Sequence, residues 1–536
     1  MPSFKAYVRF WVRALATRRH SPAKQADEAP LRAPLLTAEQ MERQGRVLAR
    51  AHVVSMEPAP DRLLERLVDN QRVLGRACAL LEDAVQAKRH LTPAGEWLLD
   101  NVYLIEEQIH LARRHFPKGY SRELPRLTSG PSAGFPRVYD IALGAISHGD
   151  GRVDADSLGR FVAAYQGVTP LRLGELWAIP IMLRLALIEN LRRVSARVMD
   201  HRIDRGIAES WADRLTSVAE SDPKSLVLVL ADMVRSKPPM SSSFVSELAR
   251  RLQGQSTTLA LPLTWIEQWL GDAGHSIEEM VQAESQQQAA SQVSISNSIG
   301  SIRFLSMMDW REFVESMSTV ESRLRTDPVG VYPAMDFATR DRYRHRVEQM
   351  AKHLKLDETA VANEAIGLAK ARAEQVGTLD VAAHVGYYLV DEGVDQLRQA
   401  LAPTKRLSRS FLASGRRLSL AGYLLPIAAI AAICTYGLIA SGFDALADSP
   451  LLWLVAALCV IAFSELGISL VNWMATLLAM PRTLPRLDFS KGIPETARTL
   501  VVVPTMFGST TAIAALVEAL EVRFLANRGA NLQFAL

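Results

Sequence analysis

The chain has 536 residues, of which 49% are hydrophobic and 22% are charged, and its net charge at pH 7 is +4. So small a positive excess gives no signal for nucleic-acid binding. The cysteines, Cys78, Cys434 and Cys459, include no Cys-x-x-Cys pair, which argues against a disulfide framework and against a cysteine zinc site.

The amino-terminal part, residues 1–35, is predicted to be a basic segment followed by a linker. Residues 1–20 contain Lys and Arg but no acidic residue, and arginines interrupt the apolar positions. This pattern fits a basic amphipathic helix on a membrane surface and a frayed basic terminus equally well. Residues 21–34 are rich in Ala, Pro and charge, which is typical of a linker.

Residues 36–415 carry helical patterns almost throughout, and we predict a cytoplasmic helical domain. Thr92-Pro93 is a helix start signal, and an apolar stripe from Leu98 to Phe116 follows on one helical face. Leu173–Leu191 is apolar but interrupted by charged residues, so it is predicted to be a buried core helix.

Pro180, inside that core helix, is expected to kink or restart it. The alternating Leu and Val residues of Leu226–Leu230 resemble a buried strand. Because no partner strand lies nearby, we assign them to a helix.

Residues 418–480 are predicted to form a transmembrane hairpin, with spans at about 420–440 and 451–473. At 1.5 Å per residue each span is long enough for a hydrocarbon core of roughly 30 Å. The link Ser441–Pro450 contains no Lys or Arg, whereas basic residues flank the hairpin on both sides. By the positive-inside rule the link faces outward, and both flanks are cytoplasmic, as are the two termini.

Two polar residues inside the second span are candidate functional residues, Glu465 and Asn472. A carboxylate within a membrane span is costly and is by default a functional hypothesis. The alternative is that the span ends near Glu465, and that Ser469–Met480 forms an interfacial helix anchored by Trp473.

Residues 481–536 have a different character. A β-branched strand, Thr499–Pro504, is followed by a helix, Thr511–Leu525, and by a second strand-like run, Asn531–Leu536. This β–α–β order opens an α/β nucleotide-binding sheet. Because so few strands cannot form an independent sheet, we expect the chain to be truncated.

Catalytic motifs are mostly missing from the sequence. Gly130–Gly134 matches the Gly-x-Ser-x-Gly of a nucleophile elbow, but no predicted strand leads into it, so an ordinary loop is favoured. Asp154-Ala155-Asp156 has the form of a metal-binding Asp-x-Asp pair. It precedes a helical run, so we predict that Asp154 caps the helix and that Asp156 lies in its first turn.

Several segments resemble the amino-terminal part of bacterial cyclic β-1,2-glucan synthases, over about residues 35–536. The longest of these segments are Gly95–Asn101 with Leu104–Ile109, Gly119–Pro125, Gly174–Pro180, Leu187–Arg193, Met308–Glu315, Met335–Arg344, and Pro485–Phe489 with Thr499–Thr505.

The resemblance implies a mainly α protein in which a large cytoplasmic helical domain and a transmembrane hairpin precede the start of a GT-A-like glycosyltransferase domain. Enzymes of this family are inner-membrane hexosyltransferases that build a β-1,2-glucan from UDP-glucose and cyclise it. The expected partners are therefore the lipid bilayer, UDP-glucose and the growing glucan, with no nucleic acid.

In such a transferase the end of the first strand lies against the nucleotide, which makes Val503, Pro504 and Thr505 candidate uridine contacts. The family's metal-binding aspartates and catalytic base are expected beyond Leu536. The divalent metal, Mg or Mn, is therefore expected only for the complete enzyme, and this chain is expected to be inactive alone.

Two hypotheses remain open at the level of sequence. In the first, the chain is the amino-terminal part of a glucan synthase, and its helical domain supports or regulates the transferase. In the second, it is a non-catalytic membrane adaptor whose helical domain binds a cytoplasmic partner. The strand around Val501–Val503 favours the first, because a finished adaptor has no use for an unpaired strand edge.

Overall fold

The computed structural model describes residues 28–57, 60–115, 120–255, 257–402, 420–442, 451–478, 484–506 and 508–536. The fold is mainly helical, as predicted. The chain divides into two compact units, Met1–Ser322 and Arg323–Leu536. The amphipathic helix predicted for residues 1–20, the basic flank at 405–417 and most of the hairpin link lie outside the described residues.

The first unit contains helices and one short antiparallel strand pair. In chain order its elements are α1 Ala38–Ala51, β1 Val54–Ser55, α2 Arg62–Gln86, α3 Pro93–Asp100, α4 Val102–His115, β2 Arg126–Leu127, α5 Arg137–His148, α6 Ala155–Gln166, α7 Leu173–Ser221, α8 Leu226–Arg235, α9 Ser242–Leu252, α10 Ala260–Asp272, α11 Ile277–Met307 and α12 Trp310–Met317. Helix α13, Thr319–Leu324, spans the division between the units.

Helix α7 organises the first unit. It has 49 residues, or roughly 74 Å at 1.5 Å per residue. Its first half, which includes the predicted core helix, is buried nearly all round and packs into one apolar core with α2, α5 and α6. Its second half packs into a separate apolar cluster with α8, α9 and α10. A helix that is apolar on all sides is stable only when other elements cover it, as they do here.

Three local predictions are confirmed, and two others need correction. Thr92 caps α3 through its side chain, Asp154 caps α6, and the run that begins at Leu226 is helical. Helix α7 continues through Pro180 without restarting. The stripe predicted from Leu98 onward does face one core, but it lies on two helices. The division is at Asn101, whose side-chain amide donates to the Trp97 carbonyl at 2.9 Å and so competes with the helical backbone.

The second unit contains a helical group, two long apolar helices and a small parallel sheet. Its elements are α14 Phe337–Leu354, α15 Glu358–Val376, α16 Val385–Val390, α17 Val394–Leu401, α18 Leu420–Gly442, α19 Leu451–Leu478, β3 Thr499–Val502, α20 Thr510–Ala526 and β4 Leu532–Ala535. The tyrosines Tyr332 and Tyr343 lie in the buried centre of the helical group.

Helices α18 and α19 pack against each other as an antiparallel hairpin. Tyr423 Oη donates to Asn472 Oδ1 at 2.8 Å, and one turn further along, Gly467 lies against Ile427. Both helices are long and apolar enough to cross a membrane, and only 11% of each span is buried within the protein. A soluble core helix of this composition would be covered, so the exposed apolar surface is consistent with membrane association.

The first strand and the helix after it lie close to their predicted positions. Strands β3 and β4 are parallel, with Thr499 opposite Leu532 and Val502 opposite Ala535, and α20 connects them. None of the residues of α20 is buried.

Candidate functional site

The carboxyl end of β3 and the amino terminus of α20 form the first candidate site. Val503 continues the sheet by donating its N–H to the Ala535 carbonyl at 2.9 Å. Thr505 Oγ1 is buried and has no hydrogen-bond partner among the described residues. Ser509 caps α20 by accepting the Ala512 N–H at 3.2 Å.

This arrangement is of a kind that binds nucleotides. In open α/β sheets ligands bind beyond the carboxyl ends of the parallel strands, and the exposed N–H groups of a helix amino terminus favour phosphate. The structure thus places Val503 and Thr505 at the appropriate edge, with the exposed Pro504 between them. Their contact with uridine stays a prediction.

The two polar residues of the second span have different surroundings. Asn472 accepts the interhelical hydrogen bond from Tyr423, so it contributes to the packing of the hairpin. Glu465 is exposed on α19, and no hydrogen bond or ion pair joins it to the part of the chain that the structure describes. Helix α19 continues to Leu478 as one helix, without a separate interfacial helix beginning at Ser469. A functional role for either residue stays a prediction.

Two segments that are about 150 residues apart in the sequence meet in the second unit. Residues 334–336, just before α14, pair with residues 486–488, just after the hairpin. Asp336 N–H donates to the Arg486 carbonyl at 2.9 Å, and Asp488 N–H donates to the Ala334 carbonyl at 2.8 Å. Met335 and Leu487 form the bridge between them. We call these paired segments the junction.

Side chains reinforce the junction. Thr339 Oγ1 accepts the Arg486 N–H at 3.1 Å, and the Asp336 carboxylate caps α14 by accepting the Thr339 N–H at 2.8 Å. The pKa of Asp488 is lowered, chiefly by a hydrogen bond from the Ser490 backbone N–H. The junction therefore fixes the segment that leads from the hairpin toward β3 against the start of α14.

The two segments of the junction overlap the segments that carry the family resemblance, Met335–Arg344 and Pro485–Phe489. The sequence alone did not predict that they touch. Both segments resemble the same family, and that resemblance carries no information on the distance between them.

Other segments of the resemblance serve packing. Glu175 is fully buried and holds Arg137 by two hydrogen bonds of 2.6 Å. Glu189 is also buried and accepts hydrogen bonds from three arginines of the first unit, which are Arg66, Arg192 and Arg193. These cations lower the pKa of Glu189 well below its usual range, although burial alone would raise it.

The Gly-x-Ser-x-Gly segment does not contain a nucleophile. Ser132 Oγ donates to the Asp140 carboxylate, and His52 Nε2 lies 3.0 Å from the other oxygen of that carboxylate. The pKa of Asp140 is lowered by these two hydrogen bonds against the effect of burial. A serine nucleophile needs the imidazole between itself and the acid, whereas here the acid lies between serine and imidazole.

The described residues contain no group of three or more His, Cys, Asp or Glu side chains that could hold a metal ion. The divalent metal expected for a complete transferase therefore finds no ligand set among them.

Taken together, the fold is that of a large helical protein with an apolar hairpin and a small parallel sheet. Over 474 residues, which are 87% of the chain, it is 32% identical to the cyclic beta-(1,2)-glucan synthase NdvB of Rhizobium meliloti (strain 1021). The chain is thus related to cyclic glucan synthase, and the resemblance seen in the sequence is confirmed.

The matched region is 16% of the NdvB protein, so the chain spans less than a fifth of the length of that relative. No protein-family model matches the chain.

Proposed function

We propose that the chain forms the membrane-attached, amino-terminal part of a cyclic β-1,2-glucan synthase that polymerises glucose from UDP-glucose. The observation that carries this proposal is the 32% identity to NdvB over 87% of the chain. Glucosyl transfer is proposed to require further residues of such an enzyme and a divalent metal, Mg or Mn, held by them. Alone, the 536-residue chain is expected to be inactive.

In this proposal the protein is a multi-pass protein of the bacterial inner membrane. The hairpin of α18 and α19 lies in the bilayer, with both of its flanks in the cytoplasm. The exposed apolar surface of the two helices supports the membrane location, and the basic flanks support the orientation.

The helical part of the second unit is proposed to support the transferase through the junction. Because the junction fixes residues 486–488 beside the start of α14, it restricts the segment through which the transferase domain is attached to the hairpin. Each of its hydrogen bonds contributes roughly 0.5–1.5 kcal/mol. The site at Val503, Pro504 and Thr505 is proposed to contact the nucleotide.

The test of the function uses membranes that contain either the 536-residue chain or the same chain extended downstream in its reading frame. Both are incubated with labelled UDP-glucose and a divalent metal, and protein-bound label is measured. Label in the extended protein alone, lost on chelation, is the expected result. Label in neither, with a defined partner captured by the short chain, would favour a membrane adaptor instead.

The junction and the nucleotide site are tested in the extended protein. Thr339→Val removes the acceptor of the Arg486 N–H at nearly constant volume, and a slower incorporation of label is expected. Thr326→Val, at an exposed threonine outside the junction, is the matched control.

Thr505→Val is expected to raise the KM for UDP-glucose, and an unchanged KM would remove this residue from the site.

The orientation is tested with cysteines introduced singly. Asp444→Cys, in the link, is expected to react with an impermeant maleimide in spheroplasts. Lys491→Cys, after the hairpin, is expected to react only in inverted membrane vesicles. The reverse pattern would contradict the proposed topology.

A further inference from the structure

A pocket in the first unit lies between α2, α3, α7 and α11, in a different unit from the junction and β3. Its cavity volume is about 20 Å³, and it is partly open to solvent. Its walls combine cationic and amide side chains from α7 and α11 with the amino terminus of α3. The pocket was not predictable from sequence, because its lining residues come from three regions about 100 residues apart: residues 81–94, 197–205 and 287–291.

Most of the charged groups on the α7 wall are paired. Arg202 is 7% exposed and contacts Glu209 at 3.2 Å. Arg205 and His201 both contact the Glu284 carboxylate, the imidazole at 3.2 Å. Both carboxylates are therefore already paired, and neither forms an ion pair with the last charged group on this wall, Arg197.

Arg197 is that remaining cation. It lines the pocket, and no ion pair or hydrogen bond joins it to any residue that the structure describes. Burial lowers its pKa, and the nearby Arg32 lowers it further, against the weaker opposing effect of Asp200. Arg32 is itself paired with Asp150 at 3.1 Å. Arg197 is therefore the partly buried guanidinium that an approaching anion would stabilise.

Other donors on the pocket walls also lack acceptors. Gln287 Nε2 is buried and has no hydrogen-bond partner among the described residues. Thr92 Oγ1 accepts the Gly95 N–H at 3.3 Å, which leaves its own proton free to donate. Ala94 is fully buried in the first turn of α3, and its N–H has no backbone acceptor in the part of the chain described.

We propose that this pocket binds a phosphoryl group. The walls offer a guanidinium, a carboxamide, a hydroxyl and a helix-terminal N–H. All four are donors, and the several oxygens of a phosphate can accept from them together. The positive end of the α3 dipole adds to the attraction. The phosphoryl group belongs either to a soluble phosphate compound or to an anionic lipid head group.

The experiment uses the full chain in nanodiscs of phosphatidylcholine and follows the thermal unfolding midpoint with inorganic phosphate added at constant ionic strength. The comparison is repeated without phosphate in nanodiscs that contain phosphatidylglycerol. The variants are Arg197→Gln and a matched control, Arg235→Gln, which alters an exposed arginine of the same unit outside the pocket.

Arg197→Gln removes no hydrogen bond or ion pair to a described residue and gives up only the attraction of Asp200. It is therefore expected to keep or raise the midpoint without ligand and to abolish its rise with ligand. Arg235→Gln should respond like the parent protein. A rise with inorganic phosphate identifies a soluble ligand, and a rise with phosphatidylglycerol alone identifies a lipid head group. Either result supports the site.

Two results would overturn the proposal. One is the absence of any Arg197-dependent rise with both probes. The other is a fall in the midpoint of ligand-free Arg197→Gln together with an intact response to phosphate, which would assign Arg197 a structural role only. Neither result depends on glucosyl transfer, so the proposed synthase function is tested separately.

Discussion

The buried ion pair between Arg137 and Glu175 offers the sharpest test of the packing of the first unit. Arg137 and Glu175 are 5% and 0% exposed at their side chains and share two hydrogen bonds of 2.6 Å. Glu175 also accepts the Arg172 N–H at 3.0 Å, and Arg137 donates to the Pro170 carbonyl at 2.9 Å. The pair thus joins the start of α5 to the start of α7.

The perturbation is Glu175→Gln, which keeps the shape of the side chain and removes its charge. The hydrogen bonds that Arg137 donates to Glu175 hold the pKa of Arg137 above its usual value against the effect of burial, so Arg137 stays charged. Removing one partner of a buried pair costs about 3–5 kcal/mol, because the other charge remains buried and uncompensated. We expect the free energy of unfolding of the first unit to fall by about 3 kcal/mol, since the amide can still accept one hydrogen bond.

The assay is urea unfolding of the full chain in detergent micelles, followed by tryptophan fluorescence. The control is Asp156→Asn, which breaks an exposed pair with Arg160 and should cost at most about 1 kcal/mol. The double variant Arg137→Met with Glu175→Leu should recover most of the loss, because an apolar pair needs no charge compensation. If Glu175→Gln costs no more than the control, the reasoning is refuted.

Three further predictions concern Glu284, Cys78 and two helical glycines, Gly386 and Gly367. Hydrogen bonds from His201 and Arg205 lower the pKa of Glu284 to about 2 against the effect of burial, from a usual value of 4.5. Its contribution to stability should therefore be full above pH 4.5 and lost as the pH falls toward 2. Unfolding at several pH values should show a smaller slope in that window for Glu284→Gln, and an equal slope would contradict the assignment. Burial raises the pKa of Cys78 to about 11, so iodoacetamide should modify it at pH 8 only after unfolding, and rapid modification of the folded chain would count against its burial. Gly386→Ala should destabilise the second unit, because a Cβ there would lie 2.8 Å from His384 Nε2, whereas Gly367→Ala, with open space around it, should stabilise α15 by about 0.5–1 kcal/mol. Thermal midpoints of the two variants that shift in the same direction would be inconsistent with this geometry.

The sequence by itself determined the local elements of this protein. The capping of α3 by Thr92 and of α6 by Asp154 depends on neighbouring residues alone, so these helix starts were predictable. The apolar helices α18 and α19 were equally predictable, since their length and composition are local properties. The resemblance to the glucan synthases was also a property of sequence, and the identity to NdvB confirms it.

The tertiary structure decided which distant residues meet. The junction pairs Asp336 with Arg486. The pocket between α2, α3, α7 and α11 is lined by Arg197, Gln287 and Thr92. An amphipathic pattern shows that a helix face is buried but not which helix covers it, because many partners satisfy the same periodicity. The break at Asn101 accompanies a local hydrogen bond, from the Asn101 amide to the Trp97 carbonyl. Helix α7 instead continues through Pro180 inside a buried core, where packing outweighs the local preference of proline.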